Sequence, residues 1–478
     1  MRDGKIPFSS KLTYGIGQFA EGLKNTAFNI FALFYYNQVL EVSGTLCGVA
    51  LGVALLFDAV TDPIAGSLSD GWRSKWGRRH PFMYASAVPL ALAFYGLFSP
   101  PDLSEWGLFA WLLVFSVLTR GAMTLYHVPH LALGAELTED FEERTSIVAW
   151  RQVFGVLGLL SVVYLSFGYF LADDRGGRQE AANYPPFAIL LGVLMTLTIL
   201  ISAVGTQKEV RYLPLASAPV PGSLARRLLR EVRDAFSSPH FRWLFAGVLI
   251  IYVMVGVNNA LDLYMSEYFW ALEGRQIQLL LLAAPVGLIA GAPLTRLMHA
   301  RWDKRPALIF GTAGWAALQF LPVILRLAES FPENGSQWLV PSLAVLKFMQ
   351  GMIVVQALVS FGSMMADVVD EHELRSGRRQ EGIFFGAVSF SGKASSGVGT
   401  MLAGIGLDLI GWQVGAGVTA SEIAPDLLFR LGVFYGPVVA GCAIVSVWCH
   451  SHYQLDRELH KKVVAELRRL RATRVAVP

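Results

Sequence analysis

The chain has three cysteines in 478 residues, and only 16% of its residues are charged. Cys47, Cys442 and Cys449 each lie in or beside an apolar run, with neither the number nor the spacing for a disulfide framework or a thiolate metal site. So low a charged fraction, against about a quarter in soluble domains, excludes a soluble enzyme. No phosphate-binding glycine loop of the P-loop type is present, so no bound nucleotide and no other cofactor is expected. The alternating segments of about ten residues that mark a membrane β-barrel are also missing. A net charge of +3 is too small to point to nucleic acid as a partner. What the chain does have is apolar sequence: 54% hydrophobic residues and a mean hydropathy of +0.47. At about 20 apolar residues per helical crossing, twelve spans would take roughly half the chain. The expectation is an all-α membrane protein.

The spans are expected at 13–40, 44–69, 80–99, 106–132, 145–172, 185–205, 243–268, 277–299, 306–327, 338–366, 381–411 and 427–449. Residues Met1 to Ser10 read as a short polar lead-in rather than a cleavable signal. One long polar stretch, 206–242, carries Pro214, Pro219, Pro221 and the basic residues Arg226, Arg227, Arg230 and Arg233. It divides the chain into halves at 1–205 and 243–449, followed by a basic tail at 450–478. Short loops 2–3, 8–9 and 10–11 hold the Lys and Arg residues, including Arg73, Arg78, Arg79, Arg301, Lys304, Arg375, Arg378 and Arg379. By the positive-inside rule these loops, both termini and the linker face the cytoplasm of a plasma (inner) membrane.

The two halves repeat a signature. Gly66 to Asp70 and then Arg78-Arg79-His80-Pro81 close span 2, and Gly291 to Lys304-Arg305-Pro306 closes span 8 with the same glycine-to-proline spacing. Two six-helix halves joined by a cytoplasmic linker resemble the major facilitator plan, in which solute binds near mid-membrane between the halves. The repeat also supplies a control. Asp58 and Asp62, shifted by the offset of 225, fall on Ala283 and Gly287, so scaffold symmetry does not require the acids. Two carboxylates four residues apart share a helix face. Each charge at membrane depth costs about 2.5–3.5 kcal/mol even on lenient scales. Pro63 frees the Ala59 carbonyl beside them, and Thr61 adds a hydroxyl. Such an oxygen-rich, negative site suits an alkali cation or a coupling proton. The alternative is that the acids pair with bases as interhelical glue. Two candidate bases are Lys393, near the middle of span 11 among small residues, and Arg151, about two turns into span 5.

Tyr14-Gly-Ile-Gly, Asp58-Ala-Val-Thr-Asp62-Pro63, Val128-Pro129 to Gly134-Ala-Glu136-Leu-Thr with Asp140 and Glu143-Arg144-Thr, Met365-Ala-Asp367-Val-Val-Asp370, and Lys393 follow one another in order. Together they resemble the glycoside–pentoside–hexuronide:cation symporters, the melibiose permease group. The resemblance implies a sodium, lithium or proton site at Asp58 and Asp62, with Thr124 as a hydroxyl ligand and Thr61 in the place of an asparagine. It implies that Lys393 lies between ion and sugar sites, and that Arg151 belongs to the sugar pocket. The sugar half departs from the pattern. Gly22 stands where the family has an aspartate in span 1, with Glu21 adjacent, and His127 replaces the second sugar-binding aspartate.

Tyr126 and Trp150 offer rings for stacking on a sugar, or ordinary helix packing. His127 and His130 flank Pro129 without a third metal ligand, and read as pocket lining or packing. Asp70, Arg78, Arg79, Asp367 and Asp370 are expected in cytoplasmic gates, the last two paired with loop arginines. The basic tail is expected to face solvent or lipid headgroups. The functional expectation is a monomeric secondary transporter that couples a cation to a sugar, glycoside or hexuronide. One alternative keeps the mechanism and changes the cargo to a lysophospholipid, since lysophospholipid symporters also lack the span 1 acid. A membrane-embedded enzyme using Asp58 and Asp62 as an acid–base dyad is the alternative from another class.

Overall fold

The computed structural model describes residues 6–138, 140–213, 233, 236–377, 381–412, 415 and 417–475, and the statements below concern these. Most of the expected linker, including Pro214, Pro219, Pro221, Arg226, Arg227 and Arg230, lies outside them, as do Arg378 and Arg379. The described residues form thirteen long helices and no strand. They are α1 (Phe8–Phe34), α2 (Gly44–Gly71), α3 (His80–Leu97), α4 (Glu105–Glu136), α5 (Phe141–Leu165), α6 (Tyr184–Gln207), α7 (Pro239–Tyr264), α8 (Gly274–Arg301), α9 (Lys304–Leu327), α10 (Leu339–Ser376), α11 (Glu381–Leu409), α12 (Pro425–Ser451) and α13 (Arg457–Val475). α1 to α12 fall on the twelve expected spans. Nine of them are long and apolar enough to cross a membrane, the others being α1, α3 and α11. Helices suit hydrocarbon because every backbone group bonds within its own segment. Their starts are capped where the sequence supplies an oxygen. Asp140 Oδ1 accepts from Glu143 N at 2.8 Å, and Asp303 Oδ1 from Lys304 N at 2.7 Å.

The chain packs as two compact units. The first holds residues 1–220, 259–278 and 400–427; the second holds 221–258, 279–399 and 428–478. These bounds differ from the expected halves, because the last turns of α7 and α11 bond to α1 and α2. Tyr264 donates its hydroxyl to Asn37 Oδ1 at 2.7 Å, and Trp412 Nε1 donates to Gln38 Oε1 at 3.1 Å. The Asp408 carboxylate accepts from Ser43 Oγ, Gly44 N and Thr45 N at 2.7, 2.9 and 2.8 Å, at the positive end of the α2 dipole. Arg178, in the α5–α6 connection, donates to Glu267 at 2.6 Å and to Asp173 at 2.7 Å. Burial works against its charge, but the two carboxylates hold its pKa above the ordinary arginine value.

Within the first unit α1 packs on α5 and α6, α2 on α4, and α3 on α4 and α6. Small residues set the closest approaches. A Cβ at Gly22 would collide with the Gly155 carbonyl, and one at Gly48 would lie 3.0 Å from the Met401 oxygen. Gly44 and Gly48 of α2 thus meet α11. The repeat reappears as geometry. α1 and α7 both end in a turn of π-helix, Tyr35–Val39 and Met265–Phe269. Each is followed by a residue in the left-handed region, Glu41 (φ 58°) and Ala271 (φ 50°). The closing bonds match: Val42 N to Tyr36 O and Leu272 N to Ser266 O are both 3.0 Å.

In the second unit, α9 packs on α10 and α13 on α10. Val463 and Leu467 of α13 are buried in one cluster with Met364, Met365, Val368 and Tyr453. The tail is therefore not simply solvated or lipid-facing, as the basic sequence suggested. One apolar stripe, invisible to a charge count, docks it.

Candidate functional site

Asp58 and Asp62 lie in the middle of α2, facing α4, which supplies Thr124. The Thr124 Oγ1 sits 2.6 Å from Asp58 Oδ1 and 3.0 Å from Asp62 Oδ1. Asp58, at 5% exposure, and Thr124, at 3%, are buried, and Asp62 is half-buried. A hydroxyl has one proton, so Thr124 donates to one carboxylate at a time. The other oxygen pair is brought close without a proton between them, an arrangement that suits a cation or an added proton. Thr61 is turned away from this cluster: its Oγ1 donates to the Phe57 and Asp58 carbonyls at 3.0 and 3.3 Å, the back-bonding common for threonine in helices.

The glue alternative required a base, and the structure supplies one that the sequence reading passed over. Arg120, one turn before Thr124 on α4, donates from Nη1 to Asp58 Oδ2 at 3.3 Å. It is 4% exposed, and its guanidinium lies 4.4 Å from the centre of the Phe28 ring on α1. The available signal was an arginine in the middle of an expected apolar span, which at membrane depth is costly by itself. Arg151 is not at this cluster; it lies beside the Tyr14 hydroxyl, on the face of α5 toward α1. Lys393 is half-buried on α11 and belongs to the second unit.

The expected substrate residues of the first unit separate into two groups. Glu21 joins a polar row along α1, where Gln18 Nε2 donates to Glu21 Oε2 at 2.8 Å and Asn25 Nδ2 donates to Glu21 Oε1. Lys24, buried, donates to Asn25 Oδ1 at 2.6 Å. His127 is half-buried one turn beyond Thr124. The rest are used in packing. Gly22 is the crossing point of α1 with Gly155 and Gly158 of α5, where no side chain fits. Tyr126 is fully buried, stacks on His130 at 5.2 Å and crowds Gly17 of α1. His130 in turn stacks on Tyr14 at 4.3 Å and bonds its carbonyl at 2.9 Å. Trp150 packs edge-on to Phe8 at 5.5 Å and beside Gly15. Tyr126 thus fills a helix crossing, while Trp150 is half-buried with one side packed.

The expected gate residues form one network in each unit. Arg79 donates to Glu136 at 2.6 Å, to Ser69 Oγ at 2.5 Å and to Asp70, while Arg78 reaches Glu136 at 2.8 Å. In the second unit Lys304 holds Asp367 at 2.6 and 2.8 Å, and His460 of α13 lies 3.3 Å from Asp367 and 3.2 Å from Asp370. Among the described residues Asp367 thus pairs with a lysine and a tail histidine, while the loop arginines Arg378 and Arg379 expected for it lie outside them. The chain distance from α13 to α10 hid the histidine. The second unit holds a further polar cluster around Asn258 of α7. Tyr435 donates to Asn258 Oδ1 at 2.9 Å, Gln319 donates to the same oxygen, and Gln350 donates to Gln319 Oε1 at 2.7 Å.

Residues 13–457 match the family model described as MFS/sugar transport protein. Among curated proteins, the chain is 25% identical to a putative glycoside/cation symporter of Escherichia coli (strain K12), over 92% of this chain and 91% of the relative. It is 24% identical to a sodium-dependent lysophosphatidylcholine symporter of Gallus gallus, over 97% and 90%. Among solved structures, a nucleoside transporter superposes with a TM-score of 0.61 at 12% identity, covering 93% of this chain and all of that one.

Proposed function

Since the chain belongs to the MFS/sugar transport protein family, we propose that it carries a sugar, glycoside or hexuronide across the inner membrane in symport with sodium or a proton. It is an integral membrane transporter and not an enzyme, so the acid–base dyad alternative falls. The observation that carries the coupled reading is the Thr124 hydroxyl held between two carboxylates in the interior of α2 and α4. Asp58, Asp62 and Thr124 receive the cation as cargo, and Glu21 with Gln18, Asn25 and Lys24 presents donors and acceptors to solute hydroxyls. Arg151 and His127 add polar groups on α5 and α4. Lys393 takes the coupling role that the family resemblance assigns to it. The Lys/Arg-bearing loops place both termini in the cytoplasm. The ion gradient supplies the driving force, and the protein works as a monomer.

A second reading is supported by the similarity to the lysophosphatidylcholine symporter over nearly the whole chain. It is also supported by Gly22, whose crossing leaves no room for a sugar-binding acid. Uptake into proteoliposomes under imposed sodium or proton gradients, with a panel of sugars, uronides and lysolipids, separates the two. Gradient-driven accumulation of a sugar or uronide is the expected result, and accumulation of lysolipids alone would favour the second reading. Full accumulation by Asp62→Asn would remove the ion site from either.

A further inference from the structure

Arg120 gives the carboxylate pair a cation of its own. Both oxygens of Asp58 have donors: Thr124 Oγ1 at 2.6 Å on Oδ1 and Arg120 Nη1 at 3.3 Å on Oδ2. A metal cation binding across Asp58, Asp62 and Thr124 must approach the same carboxylate that the guanidinium holds. Two like charges within about 5 Å in a protein interior repel strongly enough to alter affinity by orders of magnitude. The two cannot share Asp58 at full strength.

The guanidinium also has a second contact that does not depend on Asp58. It lies over the Phe28 face at 4.4 Å, and its Nε has no hydrogen-bond partner among the described residues. The head is thus anchored by one ion pair and one ring rather than by a full set of bonds. Losing Asp58 to an incoming cation leaves it on the aromatic face, where cation–π attraction persists. A permanent structural arginine would use its five donors more completely.

We propose that Arg120 is an intramolecular competitor of the coupling cation: its guanidinium holds both Asp58 and the Phe28 ring when the ion is absent, gives up Asp58 and keeps the ring when the ion binds, and thereby sets the affinity of the site for alkali cations. The proposal rests on the assignment of Asp58, Asp62 and Thr124 as the cation site.

The test titrates NaCl, and separately LiCl, into the purified full chain at constant ionic strength set with choline chloride, reading the shift in thermal unfolding. Arg120→Gln is expected to bind Na+ on the order of ten- to a hundredfold more tightly than the wild type. Added guanidinium ion should compete with Na+ in this variant. Arg120→Lys, which keeps a charge but loses the planar fork, is expected between the two, and serves as the test if the neutral variant does not fold. Affinity in the substituted protein equal to or weaker than wild type overturns the proposal. Adding Asp62→Asn locates any failure. If it abolishes Na+ binding while Arg120→Gln matches wild type, only the competitor role falls. If it leaves the Na+ response intact, the site assignment falls as well.

Discussion

α2 and α8 close on the same glycine-to-proline signature, and they differ in their middles. In α2 this level carries Asp58 and Asp62, bonded to Thr124 and Arg120 of α4. In α8 the corresponding Gly287 is pressed against the Phe348 carbonyl of α10, and Gly291 against Met352. The basic–acidic latches behave differently, because both halves keep one: Arg79 with Glu136, and Lys304 with Asp367. Of the latches only the bases, Arg79 and Lys304, stand at repeat positions, whereas Asp58 and Asp62 fall on Ala283 and Gly287 and their cost is left for something other than the repeat to explain.

The sharpest way to break this comparison is to neutralise the unrepeated pair. Asp58→Asn should lower gradient-driven accumulation by about 30-fold or more, since it removes one charge-assisted bond and leaves Arg120 buried without its carboxylate, a loss on the order of 2–5 kcal/mol. Initial-rate uptake with a folded-protein control measures it, and a variant with unchanged uptake would make Asp58 scaffold. Next is the other side of the repeat. Gly287→Ala should destabilise by about 1–3 kcal/mol through overpacking, without changing cation dependence in surviving protein. Thermal unfolding in detergent gives the first quantity and uptake the second.

The latches offer a smaller and graded contrast. Arg79 is 4% exposed and Lys304 32%. Glu136→Gln therefore leaves a buried guanidinium short of its carboxylate and should cost about 2–4 kcal/mol. Asp367→Asn frees an ammonium that reaches water, and should cost about 1 kcal/mol or less. Equal losses in a paired unfolding experiment would contradict the burial argument. The smallest effect is expected at the repeated left-handed positions. Ala271→Gly relieves a positive φ and should stabilise by about 0.5 kcal/mol, seen as a small rise in melting temperature.

Much of the site was legible because membrane burial makes charge informative. Asp58 and Asp62 stood out through their spacing, their depth and the lack of a counterpart in the second half, and Thr124 through family resemblance. Arg120 carried the same depth signal in an apolar stretch, but lacked a motif around it. Its partner is 62 residues away in sequence, so no local spacing could reveal the pair. Tyr126 and Trp150 show the opposite limit. An aromatic ring in a span has the same composition whether it lines a cavity or fills a helix crossing, and only the fold brings Gly17 and Gly15 against them.

The amino-acid sequence alone determined that this is a helical membrane protein, where its long helices lie, and which carboxylates are out of place. Those conclusions follow from local quantities: hydrophobic run length, loop charge and the spacing of a repeat. Only tertiary structure decided that Asp58 has Arg120 as partner, that Gly22 is a helix crossing and that α13 docks through Val463 and Leu467. It also placed the ends of α7 and α11 with α1 and α2. Each depends on which faces meet, and helix faces are chosen by the packing of the whole fold.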